Sequence, residues 1–474
     1  MDVFRFLRPG SVRYLRNTRN TLRNAILPKI RNVSRGGRGD GFDDFGTHEF
    51  YSFCEYIGAN PWATLPGTLL PEEMDLFMEY HAGPAGTAGG DLRIELGHPK
   101  PWTESFRKIH VQFGNEAVTF FGTGFFGPDY WSALIERCKR SPYWQDGKFV
   151  FHLNLQGCGL RGMDEHPAFN RVTINGYHIF ALYGDQLNNG GDLAGFYDFV
   201  FASAWHMWRD PRHNYFWRIL EKAKAKKMEI SMYEGLNYHT TFGDKKPPVD
   251  KINRMITGKA GGVSAVHTGL LLLKYWGART QQNFNLSQFS FRPGGSFGNI
   301  PGRIRLWGGV LNLGDPANRR YRPRFLAHHI VNQVMGGDLI RTVHHGANPT
   351  FSVTNRFGSG YGQSRKPEKL TIEGIPRVHS YAFREGKHRG LVLVSMDPRR
   401  SHPVELRFAG KVKDRRATMW RLDSSHLDDT NEPDWAPAGP KVTVHKETLT
   451  GFRSGTQVLL PPATILALSW DVVE

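Results

Sequence analysis

Three cysteines in 474 residues, Cys54, Cys138 and Cys158, are too few and too irregularly spaced for a disulfide framework, and they read as buried free thiols. No apolar run approaches the ~18–20 residues that cross a bilayer. The best short one, 269–273, is far below that. No membrane span is expected, and a soluble globular protein is the default. The doublets His328-His329 and His344-His345 match no metal spacing and read as surface or helix residues, so neither a metal nor a cofactor is expected. There is no internal repeat, no low-complexity tract and no recognisable export signal. The compartment stays open between the cytoplasm and the outside of the cell.

Charge is unevenly spread. Residues 1–40 contain no glutamate and carry nine arginines and one lysine against two aspartates, a net +8 of the chain's +17. The rest of the chain is mildly basic and bears no nucleic-acid-binding motif, so nucleic acid is not the expected partner. The arm itself reads in three ways: a transit peptide with a poor amphipathic pattern, a basic tail for an acidic surface, or the remnant of a domain that began further upstream. The third reading is preferred for a reason given below.

What the chain has in quantity is aromatic side chains, 12 tryptophans, 16 tyrosines and 32 phenylalanines, with 39% hydrophobic residues overall. The length favours two or three domains. From residue 42 helical stripes alternate with short apolar strands. Strands are expected at 61–65, 109–113, 149–153, 172–174, 230–233 and 284–289, and helices at 47–57, 71–80, 130–140, 216–223, 263–276 and from Pro323 to the Gly336-Gly337 pair. Repeated strand-then-helix units predict a parallel sheet flanked by helices, as a (β/α)8 barrel or a doubly wound sheet. After about residue 345 short strands separated by turns predict a β-sandwich. The expected domains are an arm at 1–40, a (β/α) barrel at 41–344 and a β-sandwich at 345–474.

Two of the strands run straight into glutamates, in Val111-Gln112-Phe113-Gly114-Asn115-Glu116 and Glu229-Ile230-Ser231-Met232-Tyr233-Glu234. Carboxyl ends of barrel strands are where catalytic groups gather, and glycoside cleavage uses two carboxyl groups. Asn115 could bond a sugar hydroxyl, and Gly235-Leu236-Asn237-Tyr238-His239 forms a polar and aromatic cluster suited to a cleft. A glutamate that leaves a strand is more often merely solvated.

The ordered set resembles the α-L-arabinofuranosidase type of glycoside hydrolase, in the clan of retaining (β/α)8 enzymes. The likeness extends to Phe45-Gly46-Thr47-His48-Glu49-Phe50, Glu55-Tyr56-Ile57-Gly58-Ala59-Asn60-Pro61, Glu95-Leu96-Gly97-His98-Pro99 and, in the sandwich, Asp429-Thr430-Asn431-Glu432-Pro433 and Leu460-Pro461-Pro462. It covers about residues 41–474.

The resemblance implies that Glu116 is the acid/base and Glu234 the nucleophile of a double displacement on a carbohydrate substrate. Asn115 and His178 would support the site, with His178 read equally well as a hydrogen-bonded core residue. Tyr233, Asn237 and His239 flank the nucleophile, and Trp62, Trp205 and Trp307 are stacking candidates, each of which core packing would also explain.

The clan pattern is incomplete at the start. Residues 4–10 faintly resemble the end of strand two, strand one has no counterpart, and Phe180 stands where the clan often has tyrosine. A barrel open at that point exposes sheet edges, which the arm or a partner subunit in a homo-oligomer would cover. The rival functions are another glycosidase of the clan, such as a glucanase or xylosidase, and a catalytically silent glycan-binding or assembly protein.

Overall fold

The computed structural model describes residues 3–7, 26, 30–33, 40–43, 46–65, 69–114, 128–154, 168–179, 181–182, 186, 192–212, 214–235, 241–242, 249–291, 303–357 and 369–473. It divides into two compact units, Met1–Asn175 with Arg218–Tyr233 and Ala278–Gln282, and Gly176–Trp217 with Glu234–Gly277 and Asn283–Glu474.

The sheet of the first unit orders its strands as Val3–Leu7, Asn60–Leu65, Ile109–Phe113, Phe149–Asn154, Arg171–Asn175, Glu229–Gly235 and Thr280–Asn283. The first four pairings are parallel. Order in space follows order in sequence with no reversal, which is the arrangement of a barrel; a doubly wound sheet turns back at a switch point. Among the described residues there are seven such strands where a closed barrel has eight. The fold is a partial (β/α) barrel with a β-sandwich after it. Val3–Leu7 lies in the basic arm and pairs in parallel with Asn60–Leu65, Val3 opposite Asn60 and Leu7 opposite Thr64.

The inner strands of the sheet bury two different faces. Along Ile109–Phe113 every residue is buried, and Phe113 stacks against Trp131 of the Pro128–Lys139 helix and against Phe151. Alternation along the strand therefore turns His110 and Gln112 to the opposite face. There His110 Nδ1 lies 2.9 Å from His152 Nε2, and His152 Nδ1 lies 3.0 Å from the hydroxyls of both Thr173 and Ser231. Burial of these polar groups is compensated by their hydrogen bonds to one another.

In the second unit, the antiparallel sheet runs Asp338–Ile340, Val378–Glu385, His388–Ser395, Ile465–Val473, Arg416–Asp423, Thr443–Thr450. Its central strand is buried on both sides. Ile465 and Ala467 join the apolar cluster of Val263, Val266 and Ile330 from two helices. Leu466, Leu468 and Trp470 join Leu406, Val458 and Leu460 from the antiparallel pair His402–Leu406 and Thr456–Leu460. Two-sided burial explains why this strand opens with four consecutive apolar residues, Ile465-Leu466-Ala467-Leu468.

One expectation is corrected, and one helix is not foreseen in the sequence. The strand expected at 284–289 lies earlier, at Thr280–Asn283, whose sequence is wholly polar and carries no hydrophobic signal. The long Leu193–Arg209 helix gives no stripe because nearly all its residues are buried, so the chain there is apolar on every face. Asp192 starts it by accepting the Gly195 N–H at 2.6 Å.

Buried histidines set an acid limit on this fold. Burial holds His81 and His110 in the first unit, and His178 and His379 in the second, down at about 3, against an ordinary 6.5. Below 6.5 the unfolded chain binds more protons than the folded one, so the stability these groups contribute is complete above that value and is lost as pH falls toward 3. Unfolding midpoints measured from pH 7 to pH 4 are expected to fall steadily, starting above the carboxylate range. A midpoint flat from pH 7 to 5 would contradict this.

Candidate active site

Glu234 is the penultimate residue of Glu229–Gly235, at the carboxyl end of its strand and only 8% exposed. The stretch that follows the neighbouring strand Arg171–Asn175 holds it at two points. The Gly176 N–H donates to the Glu234 carbonyl at 2.7 Å, and the Tyr177 hydroxyl donates to Glu234 Oε2 at 3.1 Å. Burial raises the Tyr177 pKa well above 10, the Glu234 carboxylate and the hydrogen bond to it add to the rise, and Arg324 and Trp307 oppose it. Tyr177 therefore keeps its proton and serves as a donor. A donor aimed at a carboxylate favours the ionised form, the form a nucleophile needs.

The next residue, His178, has another set of partners. Its Nε2 lies 3.2 Å from Ser264 Oγ and its Nδ1 3.1 Å from Thr268 Oγ1, one turn apart on the Lys259–Trp276 helix. Burial keeps the ring neutral. One ring nitrogen donates and the other accepts, which locks the imidazole to the helix and fixes the backbone beside Tyr177.

No family model matches the chain. An intracellular exo-α-L-arabinofuranosidase of Bacteroides ovatus is 28% identical over 127 residues, which is 27% of this chain and 23% of that enzyme. An extracellular exo-α-L-arabinofuranosidase of Streptomyces chartreusis is 32% identical over 89 residues and matched over 10% of its length. These matches thus span a quarter or less of the curated relatives. Among solved structures, the GH51 α-L-arabinofuranosidase of Thermotoga petrophila RKU-1 superposes with a TM-score of 0.62 at 17% identity, over 95% of this chain and 84% of that one. A family 51 α-L-arabinofuranosidase of Bifidobacterium longum gives 0.64 at 14% identity, over 99% and 87%. The chain resembles the α-L-arabinofuranosidases. At 14 and 17% identity the structural likeness is one of fold.

Within this arabinofuranosidase-like fold the expected site residues fall into three groups. Glu234 and His178 lie in the second unit, a few residues either side of their strand ends, and the bond from this segment to the Glu234 carboxylate comes from Tyr177. Trp62 and Tyr233 lie in the first unit, packed on each other and fully buried, with the Trp62 indole stacked 3.8 Å from the His152 ring. Asn115, Glu116, Asn237 and His239 lie outside the described residues, the first two immediately beyond Gly114, whose N–H donates to the Leu65 carbonyl at 2.7 Å. Of the other tryptophans, Trp205 is half-buried under the Arg209 guanidinium and Trp307 is buried edge-on to Phe284. Cys54 and Cys138 are free and buried, and Cys158 lies outside the described residues.

Sequence reasoning passed over Tyr177 and Arg324. Tyr177 sits between a strand-ending glycine and the histidine that drew attention, and its only signal was its place one step past the strand end. Arg324 sits at the start of a helix far along the chain, where an arginine is ordinarily solvated. Among the described residues no group of three or more His, Cys, Asp or Glu side chains could hold a metal ion.

Replacing Tyr177 by Phe removes the donor and leaves the ring. With a hydrogen bond to a charged group worth ~1.5–3 kcal/mol, the Glu234 carboxyl of Tyr177→Phe is expected to titrate about 1–2 pH units higher, because the carboxylate that lost its donor holds a proton more tightly. Carboxyl NMR titration of the two proteins checks this. An unmoved Glu234 midpoint would contradict the bond's role.

Proposed function

We propose that this chain is a retaining glycoside hydrolase that removes α-L-arabinofuranosyl groups from polysaccharide or oligosaccharide by double displacement. The observation that carries the reading is the buried Glu234 at a barrel strand's carboxyl end, accepting a hydrogen bond from a tyrosine that stays protonated. Likeness to arabinofuranosidases in sequence and fold supports the choice of sugar.

In this mechanism Glu234, ionised, attacks the anomeric carbon while Glu116, protonated, donates its proton to the leaving oxygen. The glycosidic C–O bond breaks and a Glu234 ester of the sugar forms. Glu116, now ionised, takes a proton from water, whose oxygen attacks the same carbon and releases Glu234. Retention requires carboxyl groups about 5–5.5 Å apart. Tyr177 holds the Glu234 carboxylate in its charged form before attack and gives it a fixed direction, which lowers the cost of orienting it.

Hydrolysis of an aryl α-L-arabinofuranoside tests the proposal. Glu234→Gln is expected to reduce it to background. Glu116→Ala should slow cleavage of substrates with poor leaving groups far more than of activated aryl glycosides, since only the former need the proton. Hydrolysis unaffected by Glu234→Gln would sink the mechanism. Absence of hydrolysis across a panel of aryl glycosides, with oligosaccharide binding retained, would favour a silent glycan-binding protein instead.

A further inference from the structure

Two buried arginines begin the Pro323–Asn332 helix, and they are held differently. Arg322 pairs with the Glu432 carboxylate, its Nε 2.5 Å from Oε1. Arg324 is also buried, yet among the described residues no carboxylate touches its guanidinium. Instead Nη1 donates to the Phe284 carbonyl at 2.9 Å and Nη2 to the Asn285 carbonyl at 3.0 Å. Burying a cation without a counter-ion is costly, and the cost shows in a guanidinium pushed down to about 9, chiefly by desolvation and then by Arg322. Such a group is retained where it holds something in place.

What it holds leads directly to Glu234. The Phe284 N–H donates to the carbonyl of Gly235, the residue after Glu234, at 3.3 Å. On its other side Glu234 is held by the Gly176 N–H and the Tyr177 hydroxyl. Arg324 also acts on that side, since its charge opposes the rise in the Tyr177 pKa. The position of Arg324 is itself fixed. A Cβ on Gly262 would lie 2.7 Å from the Arg324 backbone nitrogen, so glycine lets the Lys259–Trp276 helix approach this helix start closely. That helix also carries the Ser264 and Thr268 hydroxyls that hold His178, the residue beside Tyr177.

We infer that Arg324 is a positioning residue for the Glu234 carboxylate, acting through the main chain of Phe284 and Asn285. It touches neither the sugar nor the reacting atoms. It fixes the segment that fastens the strand end from which Glu234 projects.

The described titratable and charged groups around this cluster are Glu234, Tyr177, neutral His178, the Arg322–Glu432 pair, Arg324 and His328, which burial and Arg324 together hold at about 4. Removing Arg324 releases the Phe284 and Asn285 carbonyls and takes away a cation. Loss of the cation favours the protonated carboxyl, so Glu234 should titrate at higher pH.

The kinetic part of the test rests on the glycosidase reading, and the spectroscopic part does not. Carboxyl NMR titration of protein labelled at the glutamate side-chain carbon, with the Glu234 signal assigned by its loss in E234Q, is expected to show a higher midpoint in R324M. In R324K, which keeps the cation and can hold one carbonyl, a smaller shift of the same sign is expected. With an aryl arabinofuranoside, kcat of R324M should fall about 10- to 100-fold with KM changed less than about twofold, the pattern of a misdirected group, and R324K should recover part of it. An unshifted Glu234 titration in both variants, or in R324K alone if R324M does not fold, overturns the inference. Wild-type protein that hydrolyses nothing while R324M still shifts the titration would retire the glycosidase reading and leave the positioning role standing.

Discussion

A carboxylate left 8% exposed at the end of a strand needs donors to hold its charge, and the second unit supplies one to Glu234 and fastens its main chain. Tyr177 supplies a hydroxyl and Gly176 and Phe284 fasten the main chain on either side. None of these three is polar in a way that marks it as a site residue. Two are backbone amides and one is a tyrosine so deeply buried that it cannot give up its proton.

The Lys259–Trp276 helix links this need to the rest of the unit. One stretch of it, Ser264 to Thr268, bonds His178, while Gly262, half a turn earlier, admits the start of the next helix and with it Arg324. Its apolar residues Val263, Val266 and Leu270 belong to the cluster that includes Ile465 and Ala467 from the sandwich strand. Side chains on a packed helix cannot shift independently, so polar anchoring and core packing reinforce one another. In the first unit a comparable role falls to the chain of His110, His152, Thr173 and Ser231, which occupies the face of the sheet turned away from the helices.

Much of this was legible in the residues. The strands at 61–65, 109–113, 149–153, 172–174 and 230–233 appear within a residue or two of where their apolar side chains put them, although their other buried face carries the polar His110, Gln112, His152, Thr173 and Ser231. The sandwich was legible from its turns and short alternating strands. Glu234 stood out because a charged residue directly follows a buried run. What escaped did so for physical reasons. Thr280–Asn283 is a polar strand and Leu193–Arg209 a helix apolar on all sides, so neither has the periodicity that sequence reading depends on. Tyr177 and Arg324 act through a hydrogen bond and a main-chain contact between segments far apart in sequence, and no local pattern encodes either.

The central claim is that Glu234 forms a covalent bond to an arabinofuranosyl carbon. Incubation with an arabinofuranose-configured epoxide or aziridine, followed by mass-spectrometric mapping of the labelled peptide, tests it most directly. A single adduct on the Glu234 side chain, absent from a Glu234→Gln variant, is the predicted result. An adduct on another residue, or labelling that survives in that variant, would contradict the account.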